Sequence, residues 1–219
     1  MSDQTPDSVG QPKLPVRPIL WAVGILLFAF ILTSAIIAFS HFREMSQGTS
    51  PNITPMADFG AVPAFSFTER SEKTISLEDM KGKIWLADFI FTYCAGPCPK
   101  MSLQMAELQK SLSQAPNVHF VSFTVDPERD STARLREYAD AYDADPERWL
   151  FLTGHKDSIA ALATDGFHAG SKDDPILHST LFAIVDKKGH IRNYYHSDDP
   201  DLIKKVTADV ATLEREKGA

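Results

Sequence analysis

The stretch IWLADFIFTYCAGPCPKM, residues 84–101, carries more structural information than any other part of this 219-residue chain. Ile84–Phe91 is a nearly continuous apolar run, the pattern of a strand covered on both faces of a sheet. Pro99–Ala115 follows, with Met101, Met105, Leu108 and Leu112 at spacings of four, three and four, which predicts an amphipathic helix. Cys94 and Cys98 sit at the junction between strand and helix, and the chain has no other cysteine.

Strand and helix alternate outward from this junction. Upstream, Ala64–Phe67 reads as a short strand and Ser76–Met80 as a helical turn. Downstream, Val118–Val125 is a second buried strand, Ser131–Tyr142 a helix, Trp149–Leu152 a short strand and Ser158–Thr164 a helix. Ser179–Asp186 and Ile191–Tyr195 flank Lys187-Lys188-Gly189-His190, a hairpin turn. A last helix is expected from about Asp199, with Pro200 at its first position and Ile203, Val206, Val210 and Leu213 on its buried face. The order predicts an α/β sandwich with a mixed central sheet. Asp88 lies inside the first core strand, where a buried carboxylate needs either a partner or a raised pKa.

The N-terminal part is a different polymer. Residues 19–39, ILWAVGILLFAFILTSAIIAF, hold no charge over a length that matches a bilayer core of about 30 Å. They predict an uncleaved transmembrane helix, being longer than the apolar region of a signal peptide. Lys13 and Arg17 precede the span, which points residues 1–18 to the cytoplasm. Residues 40–62, rich in Ser, Thr, Pro, Gly and Asn, read as a tether to a domain at 63–219. A bacterial inner membrane with the domain on the periplasmic or external side is the simplest placement. That compartment is oxidising, so two adjacent thiols there form a disulfide unless reduced or metallated.

Composition narrows the function. The 29 Asp+Glu against 22 Lys+Arg give a formal charge of −7, which argues against nucleic acid as a partner. With 14 Phe and 3 Trp the chain can build a core without a disulfide framework. A helix N-terminus favours thiolate over thiol. If the first turn at Cys94–Cys98 is helical, positions i and i+4 share a face with Cβ atoms about 5–6 Å apart, which lets two sulfurs bracket one metal ion. A disulfide needs closer approach. The pair is therefore open to a metal reading and to a redox reading, and an inert disulfide would close too small a loop to stabilise much.

Copper suits a set of soft sulfur and imidazole. Among His41, His119, His155, His168, His178, His190 and His196, the one singled out is His178. It ends a polar loop and immediately precedes the strand Ser179–Asp186. In a sandwich of this order that strand lies near the one carrying the cysteines.

These residues resemble the SCO/SenC family, membrane-anchored thioredoxin-like proteins of cytochrome c oxidase assembly. FTYC-x3-CP at Phe91–Pro99 is similar to the family's metal motif, VSFTVDPERDS at Val121–Ser131 to its strand and following turn, and LHSTLFAIVDKKGHI at Leu177–Ile191 to the stretch carrying its histidine. PAFSFTERSEKTISLEDMKGKIWLADF is similar to its N-terminal hairpin and first core strand. The resemblance spans about residues 60–215. Ala95-Gly96-Pro97 departs from the more frequent family spacer.

The resemblance implies a thioredoxin-like fold and a copper ion held by Cys94, Cys98 and His178. It also implies a Cys94–Cys98 disulfide on oxidation and a partner in the copper-site subunit of a membrane oxidase. The alternative is a membrane-tethered thiol–disulfide oxidoreductase with Cys94 and Cys98 as its catalytic pair, keeping a partner's copper-site cysteines reduced. The resemblance places Asp126 at an acidic position near the site. The local pattern instead reads Asp126 as helix capping, with Asp130 the better candidate for the N-cap.

Overall fold

The computed structural model describes residues 30–37, 39, 56–169 and 180–216. The chain divides into two units, Met1–Ile53 and Thr54–Ala219. In the first, residues 30–37 and 39 are helical. The rest of the expected span at 19–39 lies outside the described residues, and among those described no helix is long and apolar enough to cross a membrane.

The second unit is built on one seven-stranded sheet. Its strands are β1 (Ser66–Glu69), β2 (Thr74–Ser76), β3 (Ile84–Ile90), β4 (Val118–Thr124), β5 (Trp149–Thr153), β6 (Leu181–Val185) and β7 (Ile191–His196), in the order β2-β1-β5-β4-β3-β6-β7. β3, β4 and β5 run parallel, while β1, β6 and β7 join antiparallel, so the sheet is mixed as expected. The helices are α1 (Leu77–Met80), α2 (Cys98–Ser111), α3 (Thr132–Ala141), α4 (Lys156–Ala161), continued by a π-helical turn at Leu162–Gly166, and α5 (Leu202–Arg215).

Strand parity sorts β3 between two cores. Ile84, Leu86 and Ile90 face one side with Met101, Met105 and Leu108 of α2, Leu135 of α3, and Val206 and Val210 of α5. Trp85, Ala87 and Phe89 face the other with Phe65, Phe67, Phe123 and Phe167. All seven residues of β3 are buried, which explains why their sequence lacks a polar face.

Four local details depart from the sequence reading. β2 is a strand of only three residues, too short to show a period of two, and it pairs with β1 through a turn in which Glu72 takes φ 71°. Residues 56–62, inside the stretch read as tether, lie on the sheet: Phe59 N–H donates to Ile191 O, Val62 N–H to Gly189 O, and Arg192 to the carbonyls of Met56 and Ala57. Pro200 does not open the last helix. Asp199 Oδ1 accepts from Asp201 N–H at 2.9 Å, an Asx turn that uses Pro200, and the helix starts at Leu202. Finally, Ser131 caps α3, its side chain accepting from Arg134 N–H at 3.2 Å, so Asp130 is free for another task.

Candidate metal centre

The centre lies at the carboxyl ends of β3 and β4, where parallel strands turn into helices. Val125 N–H donates to Ile90 O at 2.8 Å and keeps the two strand exits side by side. From Ile90 the chain turns through Phe91–Cys94, closed by Cys94 N–H donating to Phe91 O at 3.1 Å, and bends through Gly96 into α2.

α2 begins at Cys98 with Pro97 as its N-cap residue and no carboxylate in its first turn. Cys94 is therefore a loop residue, not the first member of an i, i+4 helical pair. The loop brings it back toward the helix start, with Gly96 N–H donating to Cys94 Sγ at 3.4 Å. Both cysteines are free thiols, Cys94 half-buried and Cys98 only 3 % exposed. Burial pushes the Cys98 thiol up to about 12, and the Cys94 thiol beside it adds to the rise. The helix N-terminus alone would act the other way. Desolvation in the core that the first turn of α2 joins exceeds it.

The turn before Cys94 is held from an unexpected direction. Asp130 is fully buried and accepts three hydrogen bonds: from Thr92 N–H at 3.0 Å, Thr92 Oγ1 at 2.6 Å and Thr124 Oγ1 at 2.5 Å. Thr92 Oγ1 in turn accepts from Arg134 Nε at 3.1 Å. Thr124 Oγ1 accepts from Asp126 N–H at 3.0 Å. Tyr93, 59 % exposed at the rim, has the guanidinium of Arg134 5.0 Å from its ring centroid and that of Arg129 at 5.6 Å. Asp126 carries an ion pair to Arg129. The sequence marked Asp130 only as a helix cap, because Thr92, the partner that reveals its place behind Cys94, is 38 residues away.

A second buried carboxylate, Asp88, shares the strand face of Leu86 and Ile90 by parity. Neither of its oxygens finds a hydrogen-bond partner among the described residues, and burial raises the carboxyl to about 7. Ser122, opposite it in the ladder, takes the Trp149 indole N–H at 2.9 Å and offsets only part of that rise.

The histidines separate by position. His119 lies opposite Trp85 at the start of β3, and His190 sits in the β6–β7 turn paired with Asp58, both at the far end of the sheet. His155 and His168 are exposed beside α4 and the π-helical turn. His196 closes β7 opposite Leu181, at the cysteine end. His41 and His178 lie outside the described residues, and among the described ones no three His, Cys, Asp or Glu side chains form a metal-ligand group. β6 does neighbour β3, antiparallel with Trp85 opposite Val185 and Ala87 opposite Ala183, so it begins where β3 ends.

The donor chemistry fits a soft ion: two sulfurs at a helix start, one in an apolar pocket, with no acidic residue in the first turn to compete. Fold and site together define a thioredoxin-like sandwich carrying a Cys-x3-Cys pair between its first parallel core strand and the next helix. The SCO1/SenC family model matches residues 55–213, and the chain belongs to that family. A SCO1 protein homolog of Bacillus subtilis is 36 % identical over 155 residues, covering 68 % of this chain and 80 % of its own length. The solved structure of BsSco, described as a member of the Sco family of cytochrome c oxidase assembly proteins with a disulfide switch, superposes with a TM-score of 0.67. It is 31 % identical and covers 75 % of this chain and all of its own. Bradyrhizobium japonicum ScoI, solved with copper bound, shares the fold with a TM-score of 0.58 at 23 % identity, over 70 % of this chain and 99 % of its own.

Proposed function

We propose that this protein is a membrane-anchored copper-binding factor that serves assembly of the copper site of a respiratory cytochrome c oxidase. Cys94 and Cys98 supply two thiolates and His178 the imidazole. The observation that carries this reading is the antiparallel pairing of β6 with β3. It starts β6 at the cysteine end of the sheet, and His178 precedes Leu181 by three residues, a reach of about 10 Å. Copper is held on this fold in the ScoI of B. japonicum. Copper uptake displaces the thiol proton that burial holds on Cys98, so affinity rises with pH by about tenfold per unit for each proton released. The copper then passes by ligand exchange to the copper-site subunit of the oxidase.

Residues 19–39 anchor the chain in a bacterial inner membrane, residues 1–18 lying in the cytoplasm and the 63–219 domain in the periplasm or cell exterior. The uncharged run of 21 residues and the preceding Lys13 and Arg17 support this topology.

A second reading is a thiol–disulfide oxidoreductase that keeps a partner's copper-site cysteines reduced. Two free thiols at one helix start favour it, as does the disulfide switch described for BsSco. His178 separates the two. Anaerobic copper titration of the reduced full chain in detergent, wild type beside His178→Ala, tests the first reading. Loss of copper affinity with thiol exchange intact supports it, and a wild-type chain that takes up no copper overturns it.

A further inference from the structure

The Cys94 turn has no regular secondary structure of its own to hold it. Between the end of β3 at Ile90 and the start of α2 at Cys98, only one backbone bond within the segment closes on Cys94, from its N–H to Phe91 O. Thr92 stands inside that turn, and both its backbone N–H and its hydroxyl end on a single group, the Asp130 carboxylate. The same carboxylate holds the Thr124 hydroxyl at the last residue of β4, and its own backbone N–H donates to Asp126 O at 2.9 Å. Asp130 is thus fixed to the sheet on one side and holds the Cys94 turn on the other. All three donors point at it from within hydrogen-bond range, in a place with no exposure.

We propose that Asp130 is a positioning residue for Cys94, clamping the Phe91–Cys94 turn through Thr92 so that the Cys94 sulfur is held close to Cys98 before metal or disulfide forms. This rests on the reading of Cys94 and Cys98 as the working pair. A held turn raises the effective concentration of one thiol at the other. Supporting contacts behind the ligands orient metal sites in the same way. The clamp reaches the surface through Arg134, which donates to the Thr92 hydroxyl and lies over Tyr93, and Tyr93 immediately precedes Cys94. Nothing in this arrangement requires Asp130 to touch the ion.

Loosening the clamp weakens every product that needs both sulfurs together. Copper(I) affinity and disulfide stability therefore fall in parallel, which loss of fold stability alone would not cause. The test uses the full chain in detergent. One arm competes copper(I) against a chromogenic chelator without oxygen. The other equilibrates the chain with dithiothreitol, in which the Cys94–Cys98 dithiol gives two electrons and two protons to oxidised dithiothreitol. Asp130→Asn replaces an all-acceptor group by one that presents a donor to three donors. It lowers both constants by about tenfold.

Thr92→Val keeps the backbone bond to Asp130, removes the hydroxyl and lowers both by about fivefold, whereas Thr92→Ser restores them. Should Asp130→Asn fail to fold, the Thr92 pair decides alone. If the variants melt earlier but keep both constants within about twofold of wild type, Asp130 is only a structural carboxylate and the inference falls. If the wild type binds no copper while the disulfide arm still separates the variants, the copper reading fails and the clamp stands.

Discussion

Asp88 and Asp130 are both carboxylates without solvent exposure, and both lie near the cysteine end of the molecule, yet their surroundings are opposite. Asp130 sits where two strands end, and free backbone and hydroxyl donors at those ends converge on it. Asp88 sits in mid-strand, where the ladder already uses the backbone donors of β3 and its neighbours, and neither of its oxygens has a hydrogen-bond partner among the described residues. One carboxylate is stabilised by its fold and the other is tolerated by it. Burial by itself therefore says little about a carboxylate; the supply of donors decides whether it stabilises the fold or strains it.

The largest contrast should come from truncation. Asp130→Ala strands three buried donors and is expected to cost about 5 kcal/mol, read from urea denaturation of the full chain. A loss under about 1 kcal/mol would erase the distinction between the two sites. Asp88 should show itself through pH. Its folded carboxyl titrates near 7, above the ordinary 3.8, so the contribution to stability is fully present below about pH 4 and is lost as pH rises through 7. The wild type is expected to lose about 4 kcal/mol over that window, and Asp88→Asn to lose little of it. A wild-type profile already flat from pH 4 to 8 would mean that Asp88 has a partner after all.

The smallest effect belongs to the rim. Arg134→Leu removes the donor to Thr92 and the contact over Tyr93 from a partly exposed position, and should cost about 1 kcal/mol by the same denaturation. A loss as large as that of Asp130→Ala would shift the weight of the clamp from the buried carboxylate to the surface arginine.

Much of this architecture could be read from residue order. β3 announced itself because a strand covered on both faces is apolar at nearly every position, Asp88 being the exception, and α2 because its core face repeats at helical spacing. The neighbourhood of β6 and β3 followed from topology, and the place of Cys94 and Cys98 between strand and helix from the apolar run before them and the helical spacing after them. What escaped is held by contacts distant in sequence or by very few residues. Asp130 looked like a helix cap because Ser131 and Asp130 are both good caps, and only the fold shows which one Thr92 claims. Residues 56–62 looked like tether because their bonds to β7 use backbone groups, which side-chain composition does not reveal. The helix-dipole argument for a ready thiolate failed at Cys98 because it ignored how deeply the first turn of α2 is packed.

The proposed copper centre stands or falls on Cys94, Cys98 and His178 acting as one site. Its most direct test is titration of the reduced full chain with copper(I) under a competing chelator, wild type against His178→Ala. One equivalent bound tightly by the wild type, with affinity lowered at least about tenfold in the variant, is the predicted result. Equal affinity in the two chains, or no copper bound by the wild type, would contradict it.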